Sequence, residues 1–141
     1  MSADTMHRDH VNYWLVIQAI ESIAVVEVVT GSPVILDPDD EESSKHGFRE
    51  VVVESVQHWA QEKQNRLKLS FAYFLRKCPD ELANEALGQM QDRLMPNPKD
   101  EVKFLTWLWE CLYPGESYED IDISGVIEIN DVLKTNPPHM G

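Results

Sequence analysis

EVKFLTWLWECLY, residues Glu101 to Tyr113, is the stretch whose reading decides the fold. Wound as a helix at about 100° per residue, it puts Leu105, Leu108, Trp109 and Leu112 on one stripe, flanked by Val102 and Tyr113. Phe104, Trp107 and Cys111 widen the apolar arc to roughly 240°, and only Lys103, Thr106 and Glu110 are left as a polar side. A helix so apolar either sits at the centre of the fold or lies partly at an interface. In the second case Trp107 and Trp109 are its anchors, because Trp and Tyr are favoured at contact surfaces. The preceding MPNPKD supplies a start, with Asn97 as N-cap, Pro98 at the first helical position and Asp100 two residues later. Pro114-Gly115 supplies the stop.

Working back toward the N-terminus, Cys78-Pro79 opens a third helix that runs to about Leu94. Proline at its first position and Asp80 and Glu81 in its first turn suit a helix N-terminus. A second helical region spans about Gly47 to Lys77. Val53, Val56, Trp59, Ala60, Leu67, Phe71, Phe74 and Leu75 recur there at largely helical spacings. Its length predicts a break, placed near Gln64-Asn65. The first helix starts with Asp9 as N-cap and carries Trp14, Ile17, Ile20, Ala24 and Val28 on one face. Residues 25–29 are rich in β-branched valine and also suit a short strand before Thr30-Gly31, with Val34 to Leu36 as its partner.

Toward the C-terminus the reading is divided. Ile121 and Ile123 alternate with acids as in a strand, and Ser124-Gly125 can turn the chain into VIEI. In such a hairpin Ile121 faces Glu128 and Asp122 faces Ile127, which mixes apolar and acidic groups on each face. A short strand followed by a short helix from Ser124 fits equally well. The fold class is therefore mainly α, α+β if the short strands form. It is a compact bundle of four to five helices with a small β element from residues 25–36 and 119–129. One domain covers residues 1–141, with a flexible N-terminus over 1–8, an acidic loop over 37–46 and a flexible C-terminus over 135–141.

The totals agree with one domain. A chain of 141 residues buries roughly two-thirds of its unfolded surface. Hydrophobic residues make up 43%, enough for a core without metal or disulfide. Twenty-five acids against twelve bases give a net charge of −13, which argues against direct binding of nucleic acid or an anionic membrane. The two cysteines, Cys78 and Cys111, show no CxxC spacing and do not make a secreted disulfide scaffold. No signal-peptide pattern opens the chain. Asn12, Gln18, Glu21, Ser22 and Glu27 interrupt the most apolar stretch, Val11 to Val29, and set it aside as a membrane span. The setting expected is cytosolic and reducing.

The charge is unevenly placed. Residues 1–48 carry a net −7, residues 49–77 a net +3 and residues 78–141 a net −9. Residues 37–42 hold five carboxylates in six positions: Asp37, Asp39, Asp40, Glu41 and Glu42. The tail adds Glu116, Glu119, Asp120, Asp122, Glu128 and Asp131, with no base before Lys134. A calcium loop of the EF-hand kind does not fit the first run. In the register starting at Asp39, Ser44 stands where the loop needs glycine and His46 where it needs an apolar residue, and the register starting at Asp37 ends on Phe48 instead of glutamate. The run is expected to be an exposed connection whose charge steers a basic partner.

Catalytic signals are sparse. His7 and His10 lack a matching downstream ligand pair. His58 has Glu54 four residues before it and Glu62 four after, one stripe on a continuous helix that is either solvated or metal-holding. No HExxH, GxSxG, phosphate-binding glycine loop or dinucleotide fingerprint is present. Cys78 beside a helix start has a possible reason for a lowered thiol pKa. VIEI with flanking acids matches a loose pattern for adding a strand to a partner's sheet, a pattern frequent by chance.

These features favour a non-catalytic acidic protein that docks on or neutralises a basic protein partner, with the profile of an inhibitor, immunity or antitoxin-like protein acting on something like a nuclease toxin. The partner-binding candidates are Asp37, Asp39, Asp40, Glu41, Glu42, Glu116, Glu119, Asp120, Asp122, Trp107 and Trp109. No catalytic residue, metal or cofactor is assigned. Pairing of the tail with Lys63, Arg66, Lys68, Arg76 and Lys77 inside the molecule is the competing use of the same acids. The alternatives are a metal-dependent hydrolase built on His58, Glu54 and Glu62, and a helical scaffold subunit of a homo-oligomer.

Overall fold

The computed structural model describes residues 10–88 and 97–130. The expected flexible termini over 1–8 and 135–141, and the end of the third helix at Leu94, lie outside the described residues. The first helix, α1, is Tyr13–Thr30. Its cap is Asn12, not Asp9: the Asn12 backbone is extended and its side chain accepts from Trp14 N at 3.0 Å. Residues 25–29 stay helical instead of forming a strand. The helix penalty of a valine is well under 1 kcal/mol, and continuing the helix carries Glu27 into the core, where its carboxylate accepts from Val34 N at 3.0 Å. Gly31 then ends α1 at φ 73°, a left-handed position that glycine takes without strain. Val34 to Leu36 form no strand, and Ile35 is buried as a plug.

The acidic stretch is not a loop throughout. Asp40 is the N-cap of α2, Glu41–Gly47, with its carboxylate accepting from Ser43 N at 2.9 Å. The chain continues without a break through a wide π turn, Phe48–Val53, into α3, Glu54–Gln57. The break follows at His58 to Ala60, not at Gln64-Asn65. Ala60 is extended, at φ −57° and ψ 144°. Gln64 lies in the first turn of α4, Gln61–Lys77, where its side chain donates to Trp59 O at 2.9 Å and closes the bend.

Pro79 opens α5, Pro79–Gly88, as expected. The decisive helix is α6, Glu101–Leu112. Its cap is Asp100, which accepts from Lys103 N at 3.0 Å, and not Asn97. The tail makes a 3-10 turn at Tyr118–Asp120 and no hairpin. Instead β2, Ile127–Glu128, pairs in parallel with β1, His10–Val11, with His10 opposite Ile127 and Val11 opposite Glu128. Ile129 N donates to Val11 O at 2.8 Å and extends the pairing. The mixed faces of the local hairpin are avoided by this long-range pairing.

Among the described residues the architecture is thus mainly helical, five helical segments when α2, the π turn and α3 are taken as one, with a small two-stranded sheet. α1 packs on α4, α5 and the π turn, and α6 packs on α5, α2 and the π turn. Phe48 meets Phe104 edge-on at 5.0 Å and Phe71 meets Trp109 edge-on at 5.6 Å, which knits α6 to its neighbours. By length and mean hydropathy, 1.5, α1 is apolar enough to cross a membrane, although the sequence reading set it aside. In this fold 39% of it is buried among the other helices.

Candidate functional site

Asp39 accepts from Lys99 N at 2.7 Å, just ahead of the α6 N-terminus. Glu116 follows the other end of α6, where its carbonyl receives the Trp109 indole N–H at 2.7 Å. Asp39 and Glu116 thus flank opposite ends of α6, a helix about 18 Å long at the usual rise, while Glu41 is tied through Lys45 to Glu110 in its last turn.

In the first run most carboxylates already serve the fold. Asp37 accepts from Asp39 N at 2.9 Å and Asp40 caps α2. Glu41 pairs with Lys45 at 2.7 Å, and Lys45 also reaches Glu110 at 2.6 Å. These two hydrogen bonds raise the Lys45 pKa. Glu42 is exposed and has no ion pair among the described residues. Beside this run Pro38, Asp39, Lys99, Asp100, Lys103 and Trp107 line a shallow cleft of about 200 Å³. Trp107 forms one wall, is only 7% exposed and has Lys103 Nζ 5.5 Å from its ring centre. Trp109 is 2% exposed and belongs to the core, with no ring face free for a partner.

The tail lies across α4, and it pairs with that helix at few points. Lys68 Nζ binds Glu116 Oε1. Arg76 donates to the Ile121 carbonyl at 2.8 Å, a contact to the backbone between Asp120 and Asp122. Arg66 turns to Glu62 at 3.9 Å, and Lys63 Nζ sits 4.3 Å over the Trp59 ring with burial lowering its pKa. Glu119 and Asp120 are exposed on the 3-10 turn without an ion pair among the described residues. Asp122 is exposed and accepts from Ser124 N at 3.0 Å and Ser124 Oγ at 2.5 Å, which lowers its pKa and holds it charged. Glu128 accepts from Tyr73 at 3.2 Å and Asn130 at 2.7 Å.

The expected stripe of Glu54, His58 and Glu62 is split by the break at His58 to Ala60. His58 Nε2 lies 3.2 Å from Glu54 Oε1, both well exposed, while Glu62 begins the next helix and pairs with Arg66. No group of three or more His, Cys, Asp and Glu side chains gathers among the described residues. Cys78 is not activated: burial first, then Glu81 and Glu128, raise its thiol pKa, where the sequence allowed a lowering. Burial likewise raises Cys111.

One surface was not foreseen. Val25, Val28, Val29 and Leu36 are all more than half exposed. The sequence signal was available in the apolar run Ile23 to Val29, which is apolar on both sides of the helix where an amphipathic helix alternates. Comparison with protein-family models, curated proteins and solved structures finds no significant match for this chain.

Proposed function

We propose that this is a non-catalytic acidic binding protein of the cytoplasm that docks on or neutralises a basic protein, in the manner of an inhibitor, immunity or antitoxin-like protein. A positively charged toxin such as a nuclease is the kind of target that fits. The observation that carries the reading is the state of the tail acids. Glu119, Asp120 and Asp122 are exposed and fixed on short turns, and none is paired with a cation among the described residues, although α4 runs beneath them with several bases. Among the described residues Glu116 is the one tail candidate that meets a lysine, Lys68. Acids held in place without a cation attract one from outside, and such complementarity gives fast association and strong salt dependence. Exposed Glu42 on α2 supports the same reading.

The experiment is affinity capture from lysate of the source cell at low and at high salt, with bound proteins identified by mass. A basic protein retained at low salt and released at high salt is the expected result. Recovery of no basic protein at low salt contradicts the reading.

A further inference from the structure

Across residues 114–130 no residue is buried, although this stretch lies on two core helices, α4 and α6. Its apolar contact with the core is four half-buried side chains, Tyr118, Ile121, Ile123 and Val126. Its polar ties are single bonds. The Trp109 indole N–H donates to Glu116 O at 2.7 Å, and Lys68 Nζ binds Glu116 Oε1. Arg76 donates to Ile121 O at 2.8 Å, and the Tyr73 hydroxyl donates to Glu128 at 3.2 Å. Ile129 N donates to Val11 O at 2.8 Å, and Tyr13 N to Asn130 Oδ1 at 3.1 Å. The sheet near its end has two residues per strand, a pairing too short to stand alone. Few buried apolar contacts and exposed hydrogen bonds mark the parts of a protein that open before the whole unfolds.

The stretch also has a hinge and a clasp. α6 is capped at Tyr113, and Pro114 and Gly115 follow it exposed. Gly115 stands at φ 81°, with nothing within 4 Å of the place a Cβ would take, so the turn has room to rotate. At the clasp, Lys68 Nζ binds Glu116 and stands 5.3 Å from the Tyr113 ring centre, while Tyr118 meets Trp109 edge-on at 6.0 Å. We infer that residues 114–130 are a strap that opens as one unit about Pro114-Gly115 while the helices stay folded. Closed, the strap engages Lys68 and Arg76 of α4 and the indole N–H of Trp109. Opening releases all three, so an aromatic and basic surface emerges from under an acidic strap. The inference does not rest on the acidic-binder reading, and it is tested on the protein alone.

The test is native-state hydrogen exchange of the full chain by NMR, in water and at low urea. The Trp109 indole N–H and the Ile129 amide report the two ends of the strap, and amides in the middle of α4 and α6 report the helices. After correction for intrinsic rates, the two strap probes should show equal protection, about a hundredfold below the helix amides. Their urea dependence should be the smaller, since opening exposes less surface than unfolding. Lys68→Gln should lower the protection of both probes about threefold, Ile129 included, although Lys68 binds the strap at Glu116. Strap probes as protected as the helix amides overturn the inference, because the stretch then opens only with the whole molecule. Unequal protection of the two probes, or an effect of Lys68→Gln that does not reach Ile129, overturns it as well, because the two ends then move separately.

Discussion

Tyr113 carries a buried hydroxyl with no hydrogen-bond partner among the described residues. Its ring packs 4.4 Å from Trp109, and burial together with Glu116 pushes its pKa well above the ordinary 10.0. Tyr113→Phe keeps the ring contacts and removes the orphan group, so thermal or urea unfolding should show stability unchanged or raised by about 1 kcal/mol. The pH dependence has a definite sign. The unfolded chain releases this proton near pH 10.0 while the folded chain keeps it, so stability is intact below that pH and falls as pH rises above it. The raised Lys45 pKa adds a loss in the same alkaline direction. Unfolding measured from pH 9 upward, about one unit below the tyrosine range, should fall less steeply for Tyr113→Phe than for the wild type. An identical slope would contradict the assignment. Gly47 makes a second case at this scale. A Cβ there would lie 2.4 Å from Ile35 Cγ1, and Ile35 is fully buried. Gly47→Ala should destabilise by about 1–3 kcal/mol despite its better helix propensity, because an overpacked core must shift. A stabilised variant in urea unfolding would refute this.

At the scale of elements, what was legible and what was not have physical causes. α6 could be read because its apolar arc admits one conformation, and Pro79 and Pro114 marked boundaries that the chain respects. Caps were harder. Asn97 and Asp100 are both good N-caps, and the choice depends on which side chain meets an N–H three residues on; Asp100 meets Lys103. The same ambiguity hid α2, since Asp37 to Asp40 suit a turn as well as a cap. The valines at 25–29 were undecidable from local preference, and burial of Glu27 settled them. The β1–β2 pairing joins residues over a hundred positions apart, which no local pattern encodes. One cap offers a clean test. Asn12 closes the start of α1, and its own N–H donates to Ser70 Oγ at 3.0 Å, tying α1 to α4. Asn12→Ala should cost about 1 kcal/mol or more, seen as a lower urea midpoint at unchanged slope. A midpoint equal to the wild type would remove Asn12 from that role.

For the whole molecule, the net charge of −13 and its division along the chain were plain in the sequence, but the use the fold makes of each acid was not. Counting acids could not tell which ones the fold uses. The structure divides them: Asp37, Asp39, Asp40 and Glu41 hold backbone and lysine groups, Glu116 holds Lys68, and Glu119, Asp120 and Glu42 hold no cation among the described residues. Sequence also offered Trp109 as an anchor, yet an indole edge-on to Phe71 and bonded to the Glu116 carbonyl is a core group. The acidic-docking account stands or falls with the tail. The most direct measurement is salt-dependent capture of the basic partner by wild type and by Asp120→Lys combined with Asp122→Asn, the asparagine keeping an acceptor for the Ser124 turn. The account predicts that the double variant, folded as judged by circular dichroism, loses the partner at low salt where the wild type holds it. Equal retention by the two proteins would contradict it.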